Sequence, residues 1–434
     1  MTAMGSAIAP RRNGVPPPHV PLADIDLGNR EFWALDDDLR DGAFATLRSE
    51  APVSFFEVAE VVAGVPGGRG HWALTGYDEV RFASRHPELF SSSPTSTSLN
   101  EVPAEVAEFF GSMIALDDPR HLRLRSIVNR AFTPRVVAGI EYAVHQRVRR
   151  LVTDMLDRHP DGTADFVAEI AGPLPLQIIC DMMGIPEGDH DKVFGWTSFL
   201  LGVGDDEAAV NEFDEILRVS TEIAEYGMAL AERRRSHPTD DLTTNLVQAE
   251  LDGQRLSSAE IASFFILLAA AGNETTRNAI SHGMVALTRY PDERAKWWAD
   301  FDGVAATAVE EIVRWASPVI YMRRTLTGDI ELGGVSMKTG DKVSMWYNSA
   351  NRDERVFGDP WRFDVTRNPN PHIGFGGGGA HFCLGANLAR REIRVVFEEL
   401  YRRVPDIVAV SEPAILRSAF VHGIKRLQVG WPTS

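Results

Sequence analysis

Apolar residues recur every three or four positions through 141–159 and 212–235, the spacing of one helix face. From about Ile140 to Arg235 almost every segment keeps this period. Pro173, Pro175, Pro186 and Gly188 divide it into separate helices. Within it Phe194, Trp196, Phe199, Leu200 and Leu201 form a patch too apolar for a surface helix, so it is core or the roof of an apolar cavity. The longest helical signal is 257–287. Its first half is apolar all round, which predicts a buried helix, and Ser257 or Ser258 with Glu260 makes a capping pattern at its start. Polarity then breaks in at Gly272, Asn273, Glu274, Thr275 and Thr276. A carboxylate and hydroxyls inside a buried helix are costly unless they are bonded or used. Thr can bond the carbonyl four residues back, so a local bulge able to hold water or a small molecule is expected. A structural polar network accounts for the same residues equally well.

Strand patterns are short. Residues 53–56 and 72–74 alternate as in a small sheet; 329–348 reads as strand, turn, strand; 418–431 reads as sheet. Short helices are expected within 39–52 and after Thr75. Residues 91–100 are loop by composition. Phe109, Phe110, Met113 and Ile114 line a pocket or cover the core. The connection 351–372 is long, polar and Pro-rich, and a loop of that length is functional or pinned by side chains. The pattern as a whole is mainly α, a helix-rich body with small β-sheets.

Length alone, 434 residues, suggests two or three domains, yet the chain carries no repeat and no evident linker. The balance of 44 Lys+Arg against 61 Asp+Glu argues against a nucleic-acid partner. Two cysteines, Cys180 and Cys383, make no disulfide framework and fit a reducing, cytoplasmic compartment. No run of about 18 apolar residues predicts an integral membrane segment. The Pro-rich start lacks the apolar stretch of a signal peptide and reads as a flexible arm over 1–25. A single large domain is expected over 26–434.

Chemistry concentrates in 374–391, GFGGGGAHFCLGANLARR. Cys383 follows a glycine run and precedes a strongly helical segment. A helix N-terminus favours thiolate over thiol, and glycines let backbone N–H groups and a bulky group approach. A caged single thiolate suits a soft metal already held on other sides, which points to haem iron. Gly-rich loops also form phosphate cradles or plain turns, and lone cysteines are commonly core residues like Cys180; a P-loop is disfavoured because no Gly-Lys-Ser/Thr follows. Two further pairs share helix faces. His121 and Arg125, after the helix start Asp117-Asp118-Pro119, make an anion-binding arrangement or a solvated basic face. Glu311 and Arg314 are spaced to pair.

Together these motifs, in this order over nearly the whole chain, resemble the cytochrome P450 family. The resemblance implies a single haem domain over 26–434. It implies haem b held by Cys383 as proximal ligand, with Phe375, Gly376 and Gly385 in the surrounding signature. It implies propionate partners His121, Arg125, Arg324 and His372. Glu311 and Arg314 look like the family's ExxR motif, with Arg362 as its third, structural member. Glu274 and Thr275 look like the proton-relaying acid and hydroxyl at dioxygen. One departure is clear: Phe375 stands eight residues before Cys383 where the usual signature has seven. This FGGxGxHxC form is similar to that of actinobacterial members acting on sterols and methyl-branched lipids.

The implied substrate is large and apolar, with Phe109, Phe110, Ile114, Phe199, Leu200, Phe264, Leu267, Leu268, Ala271, Val319 and Phe420 as candidate lining. The implied reaction is omega-hydroxylation of a methyl-branched lipid or a sterol side chain with O2. Electrons would come from a ferredoxin and its NAD(P)H-dependent reductase, because the chain has no flavin or nicotinamide fingerprint. Arg120, Arg123, Arg130, Arg391 and Arg394 are expected to form a basic patch for that ferredoxin. A monomer is the default. The rivals are a peroxide-using fatty-acid peroxygenase and a haem-thiolate protein that binds ligand without turnover.

Overall fold

Helices form where the apolar period is unbroken and stop at Pro, Gly or a change of period. The computed structural model describes residues 7–58, 68–101, 104–131, 134–201, 213–251 and 253–433. In chain order come α1 (Asp37–Glu50), β1 (Val53–Phe56), β2 (His71–Leu74), α2 (Tyr77–Arg85), β3 (Phe90–Ser91), α3 (Ala104–Gly111), α4 (Arg120–Ala131) and α5 (Pro134–Arg158). Then follow β4 (Thr163–Asp165), α6 (Pro173–Met183), α7 (His190–Leu201), α8 (Phe213–Ser236), α9 (Leu242–Gln248), β5 (Glu250–Leu251), β6 (Gln254–Arg255) and α10 (Ser258–Arg289). The last part holds α11 (Pro291–Ala299), α12 (Phe301–Ala316), β7 (Tyr321–Leu326), β8 (Ile330–Leu332), β9 (Val335–Met337), β10 (Lys342–Trp346), α13 (Tyr347–Ala350), α14 (Ala386–Arg403), β11 (Val408–Ala409), β12 (Ala414–Ile415), β13 (Ile424–Arg426) and β14 (Gln428–Gly430). The architecture is mainly α with small sheets in one domain, as expected.

The main sheet runs β1-β2-β10-β7-β3, with β2 and β10 parallel and the other neighbours antiparallel. It sits at one side of a helical body whose core is one contiguous cluster from α4 to α14. The central helix α10 is capped by the reciprocal Ser257–Glu260 box and packs on α8, α6, α12 and α14. Its apolar first half is buried accordingly, with Ile261, Ala262, Phe264 and Phe265 inside.

Three sequence readings need correction. Residues 7–25 are strapped down, not floppy: Ile8 is buried in the core, Arg11 N–H donates to Arg289, and Asn13 exchanges hydrogen bonds with the backbone of Phe363. The prolines there leave only a short 3-10 turn at Leu22–Asp24, but the segment still buries Ile8 and offers the Asn13 side-chain amide. Pro175 divides nothing: it lies in the first turn of α6, which Pro173 opens, and there proline lacks only an N–H that the first turn leaves unused. And α10 runs without interruption through the Gly272–Thr276 segment, so no bulge forms there.

The long connection 351–372 is pinned by one buried ion pair. Glu311 and Arg314 are both fully buried and pair at 2.7 and 2.8 Å. Arg314 also donates to the carbonyls of Asn351, Pro360 and Arg362 at 2.9–3.0 Å. Glu311 accepts from the Asp364 N–H at 2.8 Å and from Asn370 at 3.1 Å. The third charged member, and second cation, is Arg367, whose Nε lies 3.2 Å from Glu311. This corrects the assignment of Arg362: its backbone serves the cluster, while its half-exposed side chain reaches Glu293 at 3.7 Å. Both arginines lie in the same loop, and only its path shows which one turns inward.

Two stability predictions follow from this packing. Arg367→Ala removes one charge-assisted partner of buried Glu311, which keeps Arg314, and should cost roughly 2 kcal/mol, whereas Arg362→Ala should stay within about 0.5 kcal/mol; denaturant titration of both variants checks the assignment. Glu392 is buried in α14, and burial pushes its carboxyl up to about 8 from 4.5. The folded state therefore holds a proton the unfolded state has released, and stability falls as pH rises from 4.5 towards 8. In Glu392→Gln the melting temperature should lose most of that decline; an unchanged slope would count against it.

Candidate functional site

Cys383 stands three residues ahead of α14, its N–H donating to the Phe375 carbonyl at 3.0 Å. Its thiol is reachable by solvent at the site yet lies among dense protein. Burial raises its pKa; the N–H groups of Gly385 and Ala386, with Arg125 and Arg390, act against that rise. The N–H groups turned to the sulfur thus come from the helix start. The glycine run does a different job: a Cβ on Gly379 would lie 2.5 Å from the Ser84 carbonyl, and one on Gly377 would lie 2.9 Å from the Ser84 Cβ. The glycine run packs against the end of α2, where Ser84 Oγ donates to the Gly378 carbonyl at 2.8 Å. Around Gly376 (φ 101°) and Gly385 the Cβ side is open. The Arg390 guanidinium lies 4.4 Å from the Phe375 ring centre, so both stay against the cysteine loop.

Beside this loop four basic side chains converge. His121 is buried, its Nδ1 held by Asp118 at 3.1 Å and its ring 4.2 Å from that of His381. Arg125 donates to the Phe382 carbonyl at 2.6 Å. Arg324, buried on β7, donates to its neighbour's carbonyl at 2.7 Å. His381 meets Ser92 Oγ at 3.0 Å, and burial together with Arg324, His121 and Arg125 pushes its pKa down to about 3. His372, expected here, is elsewhere: Glu310 holds its Nε2 at 2.8 Å and also pairs with Arg390. His381 was missed. Its position two residues before the cysteine was a visible signal, but a histidine inside a glycine loop does not declare its direction.

On α10, Glu274 is buried and paired with Arg277 at 2.6 Å, while Thr275 Oγ1 donates to the Ala271 carbonyl at 2.8 Å. Asn273 is fully buried, with Nδ2 3.5 Å from Thr197 Oγ1. The accessible stripe of α10 is Leu268, Ala271, Gly272 and Thr275, the spacing of one face. Phe264 and Leu267 belong to the core instead. Phe109, Phe110, Ile114 and Phe199 are partly buried at the edge of that core, Val319 and Phe420 at the edges of two smaller clusters. Leu200 lies in α7, its side chain outside the described residues.

The arginine patch is already engaged. Arg120 pairs with Glu108 at 2.6 Å, Arg123 with Glu260, Arg391 with Glu141 at 2.5 Å and Arg394 with Asp302 at 2.9 Å, and Arg130 donates to the Glu250 carbonyl. Surface arginines in an acidic protein find carboxylates, so this face is less positive than the sequence implied.

The donor set fits haem. Among the described residues His121 Nε2 is buried without a hydrogen-bond partner, and Arg324 is a buried cation that donates to a neutral carbonyl. Such groups suit a bound dianion, and an accessible thiol stands beside them. Comparisons with known proteins agree. A family model described as Cytochrome P450 matches residues 207–404. A Mycobacterium bovis protein named "Methyl-branched lipid omega-hydroxylase" is 66% identical over 428 residues, covering 99% of both chains. One named "Steroid C26-monooxygenase" from the same organism is 39% identical over 431 residues, covering 98% of this chain and 96% of the other. A solved Mycobacterium marinum cytochrome P450 in complex with pseudoionone is 42% identical, with TM-score 0.89, and covers 95% of this chain and 99% of that one.

Haem loading separates the two histidines. Arg324→Ala and His381→Ala should each lower the haem-to-protein ratio several-fold at limiting haem, and His372→Ala should not. The pyridine haemochrome assay reads this; equal loss in His372→Ala would contradict the arrangement.

Proposed function

The chain belongs to the cytochrome P450 family, whose members carry haem iron, and we propose that this one hydroxylates the terminal carbon of a methyl-branched lipid. The observation that carries the reading is the near-full-length match to a relative named for that reaction. The apolar, accessible stripe of α10 suits such a substrate, which would be held mainly by burial. A sterol side chain is the second reading, supported by the more distant steroid C26-monooxygenase.

We take the group to be haem b: Cys383 is the one thiol at the site, and Cys180 is buried in α6, its pKa pushed up to about 12. Haem bound at Cys383 would supply dioxygen activation and transfer of one oxygen atom to a C–H bond. His121, Arg125, Arg324 and His381 would hold its propionates. Gly385 and Ala386 N–H groups stabilise the Cys383 thiolate. Glu274 carries the proton and Thr275 Oγ1 passes it on, which requires Thr275 to release the Ala271 carbonyl.

The electrons would come from a ferredoxin and its NAD(P)H-dependent reductase, docking on the α4 and α14 face, in the cytoplasm and with the protein as a monomer. Among the described residues no helix is long and apolar enough to cross a membrane. The acid–hydroxyl pair argues against a peroxygenase and against a ligand binder without turnover.

The test is reconstitution. With NAD(P)H, reductase and ferredoxin, the protein should convert a methyl-branched lipid to its omega-alcohol, and Glu274→Gln should lower the yield by about 10²-fold. A strongly red-shifted Soret band of the reduced carbon monoxide adduct, lost in Cys383→His, reads the thiolate. Product from peroxide alone at the same rate would favour the peroxygenase, and no product from any lipid or sterol would sink the reading.

A further inference from the structure

In this structure the two relay groups are parked. Thr275 donates back to Ala271, and Glu274 is held by Arg277, three residues on. Both ends of that ion pair are buried, at 5% and 15% side-chain exposure, so bulk water neither screens it nor replaces either partner. Arg277 is tied twice. Nη1 donates to Glu274 at 2.6 Å and Nη2 to the Ile424 carbonyl at 3.3 Å.

Ile424 begins the strand that follows Phe420 and Val421, the segment bridged to Val319 at the candidate substrate wall. The same strand is stitched to α10 at two further points. Its Ile424 N–H donates to Asn278 at 3.2 Å, and the His422 carbonyl meets His282 at 3.1 Å. Just over two turns of α10, Glu274 to His282, thus carry the acid, its cation and the seam to the C-terminal segment.

We propose that Arg277 is a positioning residue for proton delivery: it holds Glu274 away from Thr275, registers the acid against the C-terminal strand at Ile424, and must release it for each proton passed. This rests on the relay assigned to Glu274 and Thr275 above. The charge balance is simple. Glu274 bound to Arg277 is a carboxylate; on release it takes up a proton delivered from bulk solvent, gives it towards Thr275 Oγ1, and returns to Arg277 as a carboxylate, so each cycle consumes one solvent proton and leaves no hydroxide in the site. A free carboxylate buried without Arg277 would have no resting partner.

The test uses the haem-loaded full chain as Arg277→Gln, Arg277→Lys, Glu274→Gln and the double variant. Arg277→Gln should lower product per NAD(P)H roughly tenfold, raise peroxide release, and leave the substrate-induced spectral titration unchanged. Arg277→Lys, which keeps the charge, should recover most of the yield. In the Glu274→Gln background Arg277→Gln should have no further effect on yield. Melting temperature gives a readout independent of turnover: Arg277→Gln should melt several degrees lower because it strands a buried carboxylate, and the double variant should regain most of that loss. Wild-type yield in Arg277→Gln, or an undiminished additional loss in the Glu274→Gln background, would overturn the role of Arg277 alone. Full yield in Glu274→Gln would overturn the relay and this inference with it.

Discussion

The buried pair of Glu311 and Arg314 is the constraint on which the cysteine side of the molecule depends. Two opposite charges removed from water are tolerated only when their remaining donors and acceptors are filled. Here they are filled by the backbone of 351–364 and by Arg367 and Asn370. A polar, Pro-rich stretch with no ladder of its own thereby gains one path. That path delivers Phe375 and the cysteine loop to the start of α14. The neighbouring carboxylate Glu310 extends the same logic by gripping His372 and Arg390, and Arg390 stacks on Phe375.

The haem side is organised by an imbalance of the opposite kind. His121, Arg125, Arg324 and His381 bring donors together without enough protein acceptors to answer them. Among the described residues His121 Nε2 has no hydrogen-bond partner, and His381 is driven neutral by burial and by its cationic neighbours. A fold keeps such an arrangement when a bound anion completes it. The pinning pair and the convergent donors thus divide the work: one holds the cysteine loop, the other would hold the group that Cys383 would ligate.

The central helix joins both to the chemistry. Most of it is core, and its middle carries a narrow accessible face, Leu268, Ala271, Gly272 and Thr275, with Glu274 turned to Arg277. Reaction at this site would need protons to arrive on demand and water to stay out otherwise. On the proposed relay, an acid held in a buried ion pair with Arg277 would serve both requirements.

Much was legible in the chain by itself. Helical period announced α5, α8, α10 and α14, the capping box fixed the start of α10, and the spacing of Glu311 to Arg314 and of His121 to Arg125 follows from helix geometry, which is local. Cys383 at a helix start was equally plain. What stayed hidden depended on where irregular backbone goes. Arg367 and Arg362 differ by five positions in one loop, and His381 and His372 by nine across another; no period links them to what they face. The arm over 7–25 looked unstructured because its contacts are with distant residues such as Phe363 and Ala409. Short-range stereochemistry sets the elements and the faces they share. The partner of each loop side chain is set by long-range packing and by the need to satisfy buried charge, and only the tertiary structure decides it.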